Sequence, residues 1–372
     1  MGAVLVNQGL PEAFSWWGRQ WRMRGNGRFQ DGVRKMIHSR LWILYCVYVA
    51  SGSTLNALVK GSPMRILSAI DTAVASWGCV AMTVYMRRTG EGLSDLLADA
   101  AALAADICAG GVPPELQVLA EQHYKRGRLL FNVGCAYPFG ISVVSVLPTI
   151  AGFDAGLAVW PWFSGQLGRV TNALFWMFTC FPLGLPVFIV YCFLLFLVEA
   201  NTLLYRILGA QLDRANANTD VKEAARRHVQ LCKLTDQCRD VLEYPLNVYV
   251  STSLAMPAIA TVTLTRASAT GFAVVGMLYL AFFYAMCLVG ERLQRASTSL
   301  VPCSFESYAS QIGRPHSTSR ARADRLLLTI MLRAHQPDTI FAFRKAVGLN
   351  LHMFTNSINN WYSALNILLK MP

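Results

Sequence analysis

The sequence predicts an all-α membrane protein, a bundle of seven helices that cross the bilayer. Hydrophobic residues make up 54% of the 372-residue chain and charged residues only 15%, which is too apolar for an ordinary soluble surface. Seven long windows carry no charge, apart from Asp71 in the second. About 20 apolar residues span a bilayer as a helix, and a helix satisfies its backbone within one segment. The predicted spans are 41–59, 66–86, 129–153, 170–198, 244–265, 267–290 and 346–369.

The distribution of basic residues predicts the orientation of this bundle. Of the 33 Lys and Arg residues, 28 lie in the N-terminal segment and in the second–third, fourth–fifth and sixth–seventh connections. The other five lie on the opposite side of the bilayer. Because cytoplasmic loops are enriched in Lys and Arg, we expect a cytoplasmic N-terminus and an extracellular C-terminus. A G-protein-coupled receptor has the opposite orientation, so the pattern disfavours that class.

Several other function classes lack support in the sequence. The net charge of +12 comes from basic blocks between spans rather than from one basic face, so nucleic-acid binding is not expected. The sequence contains no phosphate-binding glycine loop, no nucleophile elbow and no pair of cytoplasmic carboxylates spaced for acid–base catalysis. It therefore gives no indication of an enzyme. The ten cysteines lie in spans or in reducing cytoplasmic connections, so we expect no structural disulfide. No metal-ligand spacing predicts a bound metal or another cofactor.

The N-terminal segment contains a short aromatic and basic stretch. Its tryptophans are Trp16, Trp17 and Trp21, interleaved with Arg19, Arg22 and Arg24. Such a stretch is typical of an interfacial helix whose rings lie at the depth of the lipid headgroups. A disordered arm with incidental tryptophans is the alternative.

Two cytoplasmic segments have the apolar spacing of packed helices. In the fourth–fifth connection the spacing is three, four and three residues, as at the a and d positions of a helix that packs on another helix. These residues are Leu231, Leu234, Cys238 and Val241. A second stripe precedes the seventh span and consists of Leu326, Leu327, Ile330, Met331 and Ala334. We expect parts of 200–243 and 291–345 to form cytoplasmic helices, which pack either within the subunit or on neighbouring subunits.

The seventh span is unusually polar for a helix in lipid. At about 100° per residue, most of its polar side chains fall within one arc of roughly 100°. The arc contains His352, Thr355, Asn356, Asn359, Ser363 and Asn366, with Tyr362 at its edge. Polar side chains are costly against lipid, so this face is predicted to meet protein or water. Hydrogen bonds to other helices and the wall of a pore with an apolar constriction both fit.

Short motifs mark the C-terminal part of the sequence. Arg-Ala-x-x-Pro occurs at 333–337, Leu-x-x-x-x-Phe at 349–354, and a Tyr-Ser pair at 362–363 is followed by two leucines. In these motifs the chain resembles the insect odorant receptors, and its length and seven spans agree with that family. One departure is at 303–310, where Tyr308 stands without the tryptophan that the family often has.

The resemblance implies a ligand-gated cation channel in the plasma membrane of sensory-neuron dendrites. In that family four subunits surround a pore lined by the seventh helix, and the cytoplasmic helices form most subunit contacts. The shared co-receptor has a large insertion in the fourth–fifth connection, whereas this chain has only about 45 residues there, at 199–243. The resemblance therefore implies an odorant-tuning subunit, one membrane domain over 1–372, that pairs with the co-receptor and binds a small volatile odorant.

The resemblance also implies a pocket in the external half of the bundle, among the second, third, fourth and sixth spans. Small apolar ligands bind in aromatic cavities with a few hydroxyl groups, although aromatic residues also fill bundles or face lipid. The candidate ligand-binding residues are Ile70, Ala73, Trp77, Tyr137, Ile141, Ser142, Ser145, Phe175, Phe178, Thr179, Phe272 and Tyr279. Leu365 matches the family's gate position, and the candidate pore residues are Tyr362, Leu365, Asn366 and Leu369.

Asp71, the one carboxylate in a span, is a functional candidate or a cap near the external end of its helix. Three alternatives remain, and the first, a purely structural membrane protein, would leave the asparagines of the seventh span unexplained. Gustatory receptors of the same superfamily usually end in a Thr-Tyr…Gln-Phe motif, which 361–369 does not match. A solute transporter would contain internal repeats and broken helices. Pro182 and Pro186 are predicted to break the fourth span, but no matching pair occurs elsewhere.

Overall fold

The computed structural model describes residues 9–21, 35, 39–59, 63–150, 165–215, 218–267, 270–309, 318–335, 341–342 and 347–370. These residues form ten helices and one short antiparallel hairpin. The helices are α1 (Gly9–Trp21), α2 (Arg40–Val59), α3 (Pro63–Ala109), α4 (Pro114–Ile150), α5 (Gly165–Asp213), α6 (Asn218–Ala267), α7 (Thr270–Thr298), α8 (Leu300–Ala309), α9 (Thr318–Ala334) and α10 (Leu351–Lys370). The hairpin pairs β1 (Phe341–Ala342) with β2 (Val347–Gly348).

Helices α2 to α7 and α10 correspond to the seven predicted spans, which confirms the all-helical bundle. Helix α3 has 47 residues, α5 has 49 and α6 has 50. At 1.5 Å per residue each is roughly 70 Å long, more than twice the hydrocarbon thickness of a bilayer. The long helices therefore continue well beyond the spans into the connections that carry the basic residues. Among the described side chains, the stretch Gly184–Asp213 of α5 is long and apolar enough to cross a membrane.

The main hydrophobic cluster joins these helical extensions. It includes three residues of each stripe found in the sequence: Leu231, Leu234, Cys238, Leu327, Ile330 and Ala334 are all buried within the subunit. Tyr205 of α5 is fully buried in the same cluster. The packing within the subunit, one of the two predicted possibilities, is thus present. A smaller cluster joins α2 to α3 around Cys46 and Val80.

Helix α1 differs from the prediction in where its tryptophans lie. The segment is helical, but Trp17 is fully buried in protein rather than placed at the membrane surface. Its ring stacks on Phe196 at 5.3 Å and meets Phe131 edge-on at 5.6 Å. The helix is amphipathic, and the bundle covers its apolar face, so the expected headgroup position is wrong for Trp17. Gly127 allows this approach, because a Cβ there would lie 3.1 Å from the indole nitrogen.

Two further features of the membrane helices differ from the prediction, the start of the seventh span and the break in the fourth. The seventh span begins at Leu351 rather than at 346, because residues 347–348 pair with β1 and 349–350 precede the helix. The fourth span is not broken, since α5 continues through Pro182 and Pro186. Proline is tolerated in membrane helices where neighbouring groups satisfy the freed backbone carbonyls. The end of the third span, 151–153, lies outside the described residues.

Candidate functional site

Helix α10 lies at the surface of the subunit and turns its polar face outward. On its inner face, the Phe354 ring packs against Phe283 at 5.7 Å and against Tyr284 at 5.1 Å, both in α7. Among the side chains of α10 that the structure describes, the exposed ones are His352, Thr355, Asn356, Asn359, Asn360, Tyr362, Ser363 and Asn366. At 100° per residue they cover an arc of about 160°, wider than predicted. An apolar bundle thus exposes one continuous polar face.

The start of α10 is held in place by its neighbours. The Asn350 side chain caps the helix, since its Oδ1 accepts a hydrogen bond from the Met353 amide at 2.8 Å. Leu349 is buried, and its carbonyl oxygen lies close against Gly290 of α7. A side chain at position 290 would occupy the space of that carbonyl. The cap and the glycine contact together fix where the polar face begins.

Hydrogen bonds within this face leave many groups free for water or another subunit. The Thr355 hydroxyl donates to the Leu351 carbonyl at 3.0 Å, and Ser363 donates to the Asn359 carbonyl at 2.9 Å. His352 and Asn356, one turn apart, are joined by a side-chain bond of 3.0 Å. The arrangement supplies hydroxyl, amide and imidazole groups along one helix face.

The candidate ligand-binding residues are only partly described. Ile70 is 37% exposed, Ala73 is buried and Tyr279 is half-buried. Trp77 is 44% exposed, and its indole nitrogen donates to Thr54 of α2 at 3.2 Å. The structure thus places Trp77 beside the first span. The side chains of Asp71, Tyr137, Ile141, Ser142, Ser145, Phe175, Phe178, Thr179, Phe272, Leu365 and Leu369 lie outside the described residues, so the grouping of a pocket stays a prediction.

An aromatic cluster that the sequence analysis did not single out lies between α5, α6 and α7. Tyr191 and Tyr249 are buried with ring centroids 5.5 Å apart, and Tyr191 meets Phe282 at 4.7 Å. The Tyr191 hydroxyl donates to the Phe282 carbonyl at 2.9 Å, and the Tyr249 hydroxyl donates to the Val187 carbonyl. All three aromatics fall within predicted spans, but nothing in the sequence distinguishes them from other span aromatics. Phe282 adjoins Phe283, so the cluster reaches α10.

Charged groups converge where α4, α5 and α7 leave the predicted spans. The Glu199 carboxylate lies 3.8 Å from the His123 imidazole and 3.5 Å from the Arg292 guanidinium. Burial lowers the pKa of His123 to about 4, and Arg126 adds to that effect. Burial raises the pKa of Glu199, against the opposing effects of Arg292 and Arg126. Burial outweighs the nearby carboxylate, so His123 is neutral at neutral pH.

A groove between α3 and α6 is lined by charged and amide side chains together with Ala102, Leu103 and Leu234. Its volume is about 380 Å³, and Asp106 there pairs with Arg226 at 2.6 Å and Arg227 at 3.4 Å. The guanidinium of Arg226 also pairs with Glu223, and these two carboxylates raise its pKa. This lining contains charged groups and no aromatic residue, unlike the aromatic cavity predicted for an odorant. The ion pairs join α3 to α6.

The helical extensions expose apolar side chains as well. On α9, Leu328 is 52% and Leu332 is 66% exposed, one turn apart. Phe305 of α8 is 59% exposed and Val229 of α6 is 63% exposed. Helix α9 therefore has two apolar faces, one buried in the subunit and one uncovered.

The comparisons with known proteins decide the family. The sequence profile described as "7tm Odorant receptor" matches residues 65–362. The chain belongs to the insect odorant receptor family. This odorant receptor is therefore a membrane protein of a ligand-gated channel class and not an enzyme. The assignment also decides against the gustatory receptor and the transporter.

Solved structures agree with the fold of this odorant receptor. The insect olfactory receptor OR5 from Machilis hrabei superposes with a TM-score of 0.73 at 12% identity, over 93% of this chain and 90% of that one. The complex of the same receptor with eugenol superposes with a TM-score of 0.70 at 12% identity, over 97% of this chain and 98% of that one. No curated protein sequence is significantly similar to the chain.

Proposed function

We propose that the chain is an odorant-tuning subunit of a heteromeric, ligand-gated cation channel. It pairs with the shared co-receptor in the plasma membrane of sensory-neuron dendrites, with a cytoplasmic N-terminus and an extracellular C-terminus. A small, neutral volatile binds in the outer half of one membrane domain and opens a pore that α10 lines. Parts of 200–243 and 291–345 serve as the cytoplasmic region for subunit contacts.

The outward polar face of α10 is the observation that carries this proposal. Eight polar side chains on one exposed arc are costly against lipid, so in the assembled protein water or polar protein surface covers them. A water-filled path between subunits solvates all of them at once. Tyr362 and Asn366 are exposed on this face. The proposed constriction adds Leu365 and Leu369, which lie beyond the Tyr362 edge of this arc.

The surface of two membrane helices supports the proposed orientation. Arg40 begins α2 and is followed by Leu41 and Leu44, which are 77% and 65% exposed. In α4 the exposed Arg128 precedes Leu129, which is 61% exposed. A change from exposed basic to exposed apolar residues is expected where a helix enters lipid on the cytoplasmic side. Both helices then run outward, as a cytoplasmic N-terminus requires.

The aromatic cluster offers a physical link between the pocket and the pore. Tyr279, a candidate pocket residue, lies one turn from Phe282 and Phe283 on α7. Phe282 contacts Tyr191, and Phe283 contacts Phe354 of α10. A ligand that shifts α7 would therefore move residues packed directly against α10. The link is a spatial one, and coupling has to be measured.

The proposed partner would cover the second apolar face of α9. Exposed Leu328 and Leu332 on a cytoplasmic helix lose contact with water when another subunit packs there. The absence of a large insertion in the fourth–fifth connection supports the role of tuning subunit, since the family's co-receptor carries one there.

Agonist-evoked current is the direct test. Cells given this chain with a co-receptor should show odorant-evoked cation current that persists under G-protein blockade, and cells given either chain alone should not. Alanine at Trp77, Tyr137, Ser145 or Phe175 should shift agonist potency or odorant rank while surface expression stays intact. An offset ring pair contributes about 0.5–1.5 kcal/mol, a roughly two- to tenfold change in potency. Unchanged potency in all four variants would contradict the pocket, and a current lost under G-protein blockade would contradict the channel.

A further inference from the structure

We propose that His352 and Asn356 form a binding site for a borderline divalent transition cation, which blocks the channel from the cytoplasmic side. The inference rests on the proposed role of α10 as the pore wall. It adds an inhibitory ligand to that wall and places the binding site of this ligand in the first turn of α10.

The position of His352 follows from the helix geometry. Taking His352 as zero, the arc of exposed residues runs from Tyr362 at about −80° to Asn360 at about +80°. His352 therefore lies near the middle of the exposed face rather than at its edge. It also lies in the first turn of α10, which is the cytoplasmic end under the proposed orientation. An imidazole thus faces the entrance of the conduction path.

The pair with Asn356 supplies a second ligand atom. The two side chains are four residues apart and already meet at 3.0 Å through the His352 Nε2 atom. An i, i+4 spacing on one helix face is the spacing with which paired side chains chelate zinc in H-E-x-x-H helices. Rotation of the amide by 180° replaces Nδ2 with Oδ1, a carbonyl oxygen able to bind a cation alongside the imidazole nitrogen.

The donor set indicates the class of cation. Imidazole suits Zn²⁺, Cu²⁺ and Ni²⁺, whereas Mg²⁺ and Ca²⁺ prefer sites made of oxygen ligands. One nitrogen and one oxygen per subunit leave the remaining positions to water or to a neighbouring subunit, so we expect binding weak enough to be reversible. Ni²⁺ is the suitable probe, because softer metals are drawn to thiolates and this chain has ten cysteines.

The test uses inside-out patches from cells that express the full chain with a co-receptor, with agonist in the pipette and NiCl₂ in the bath. Internal Ni²⁺ should reduce the current, more strongly at depolarised voltages because the field drives internal cations into the pore. His352→Ala should raise the half-blocking concentration by about tenfold or more, and Asn356→His should lower it by about tenfold. His335→Ala is the matched control, an exposed histidine next to α9 and off the polar face, and it should leave the block unchanged.

The outcomes separate this inference from the proposed function. An agonist-evoked current whose Ni²⁺ sensitivity is the same in the wild type and in His352→Ala overturns the cation site and leaves the channel intact. No agonist-evoked current in the wild type overturns both. If His352→Ala does not conduct, Asn356→His decides, since an unchanged half-blocking concentration there overturns the site.

Discussion

Gly290 of α7 lies directly against the carbonyl oxygen of Leu349, one residue before the cap of α10. A methyl group at position 290 would have to displace that carbonyl and with it the start of α10. We expect Gly290→Ala to reduce agonist-evoked current several-fold, because overpacking costs about 1–3 kcal/mol. Gly92→Ala in α3 is the control, since nothing lies within 4 Å of a Cβ there. Equal currents from the two variants in patch-clamp recordings would show that the contact does not position α10.

The contact between Phe283 and Phe354 predicts coupling between α7 and α10. Phe283→Leu and Phe354→Leu should each shift the concentration–response curve for the agonist. The double variant should shift it by less than the sum of the two single effects, because both remove the same 5.7 Å ring contact. The expected interaction energy is about 0.5–1.5 kcal/mol. Strict additivity would mean that the contact does not transmit agonist binding.

The proposed constriction at Leu365 predicts an effect on the closed channel. An apolar ring keeps a narrow pore dry, and a small polar side chain lowers the barrier to water and ions. Leu365→Ser should therefore raise basal current or alter permeability ratios. Val118→Ser, at an exposed apolar position of α4 away from α10, should change neither. Identical basal current and permeability in both variants would place the gate elsewhere.

The exposed leucines of α9 predict a defect in assembly. Glutamate at both Leu328 and Leu332 should prevent co-purification with the co-receptor, because the contact would then bury two carboxylates without partners. Val118→Glu on α4 is the control: this side chain is 56% exposed and apolar but lies outside α5 to α9. Unchanged recovery of the co-receptor with the double variant would contradict a subunit contact on this face.

Two buried histidines predict how stability depends on pH. Burial lowers the pKa values of His123 and His228 from 6.5 to about 4, helped by Arg126 and Arg333 respectively, while Glu199 faces His123. Below pH 6.5 the unfolded state binds protons that the folded state does not, so stability falls with falling pH. Between pH 6.5 and 5 the loss is about 2 kcal/mol per histidine.

Thermal unfolding of the purified protein in detergent measures this loss. His228→Gln should cost little stability at pH 7.5. It should also make the decline in stability between pH 7.5 and pH 5 shallower than in the wild type. The same pH dependence in the wild type and in His228→Gln would contradict neutral burial of the His228 ring.

Sequence patterns predicted the fold well, and the reason is physical. Charge-free windows identify spans because an exposed charge is costly in lipid. The stripes around Leu231 and Ile330 identify packed helices because an apolar face is stabilised when it is buried against another helix. Trp17 was misplaced because an amphipathic segment looks the same whether its apolar face meets lipid or protein. The start of α10 was placed too early, since two-residue strands such as Val347–Gly348 leave no periodic signal.

The site was predicted less completely than the fold. The polar face of α10 follows from residue spacing alone, and Asn356 and Asn366 on it are exposed in the structure. The bonds of Tyr191 and Tyr249 to backbone carbonyls have no sequence signature, because they depend on where α5, α6 and α7 meet. Which aromatics face a pocket is a question of helix rotation, and alternating apolar residues in a span do not specify it.

Among the side chains that the structure describes, much of the main hydrophobic cluster lies in the helical extensions, where Trp17, Tyr205 and Leu327 are shielded from water. Burial there stabilises the subunit through the ordinary hydrophobic effect, which does not act between helices that are already surrounded by lipid tails. Under the proposed topology this burial lies on the cytoplasmic side, away from the proposed odorant pocket. Substitutions in that proposed pocket would then leave the contacts of the inner scaffold intact, so a change of ligand need not disturb assembly.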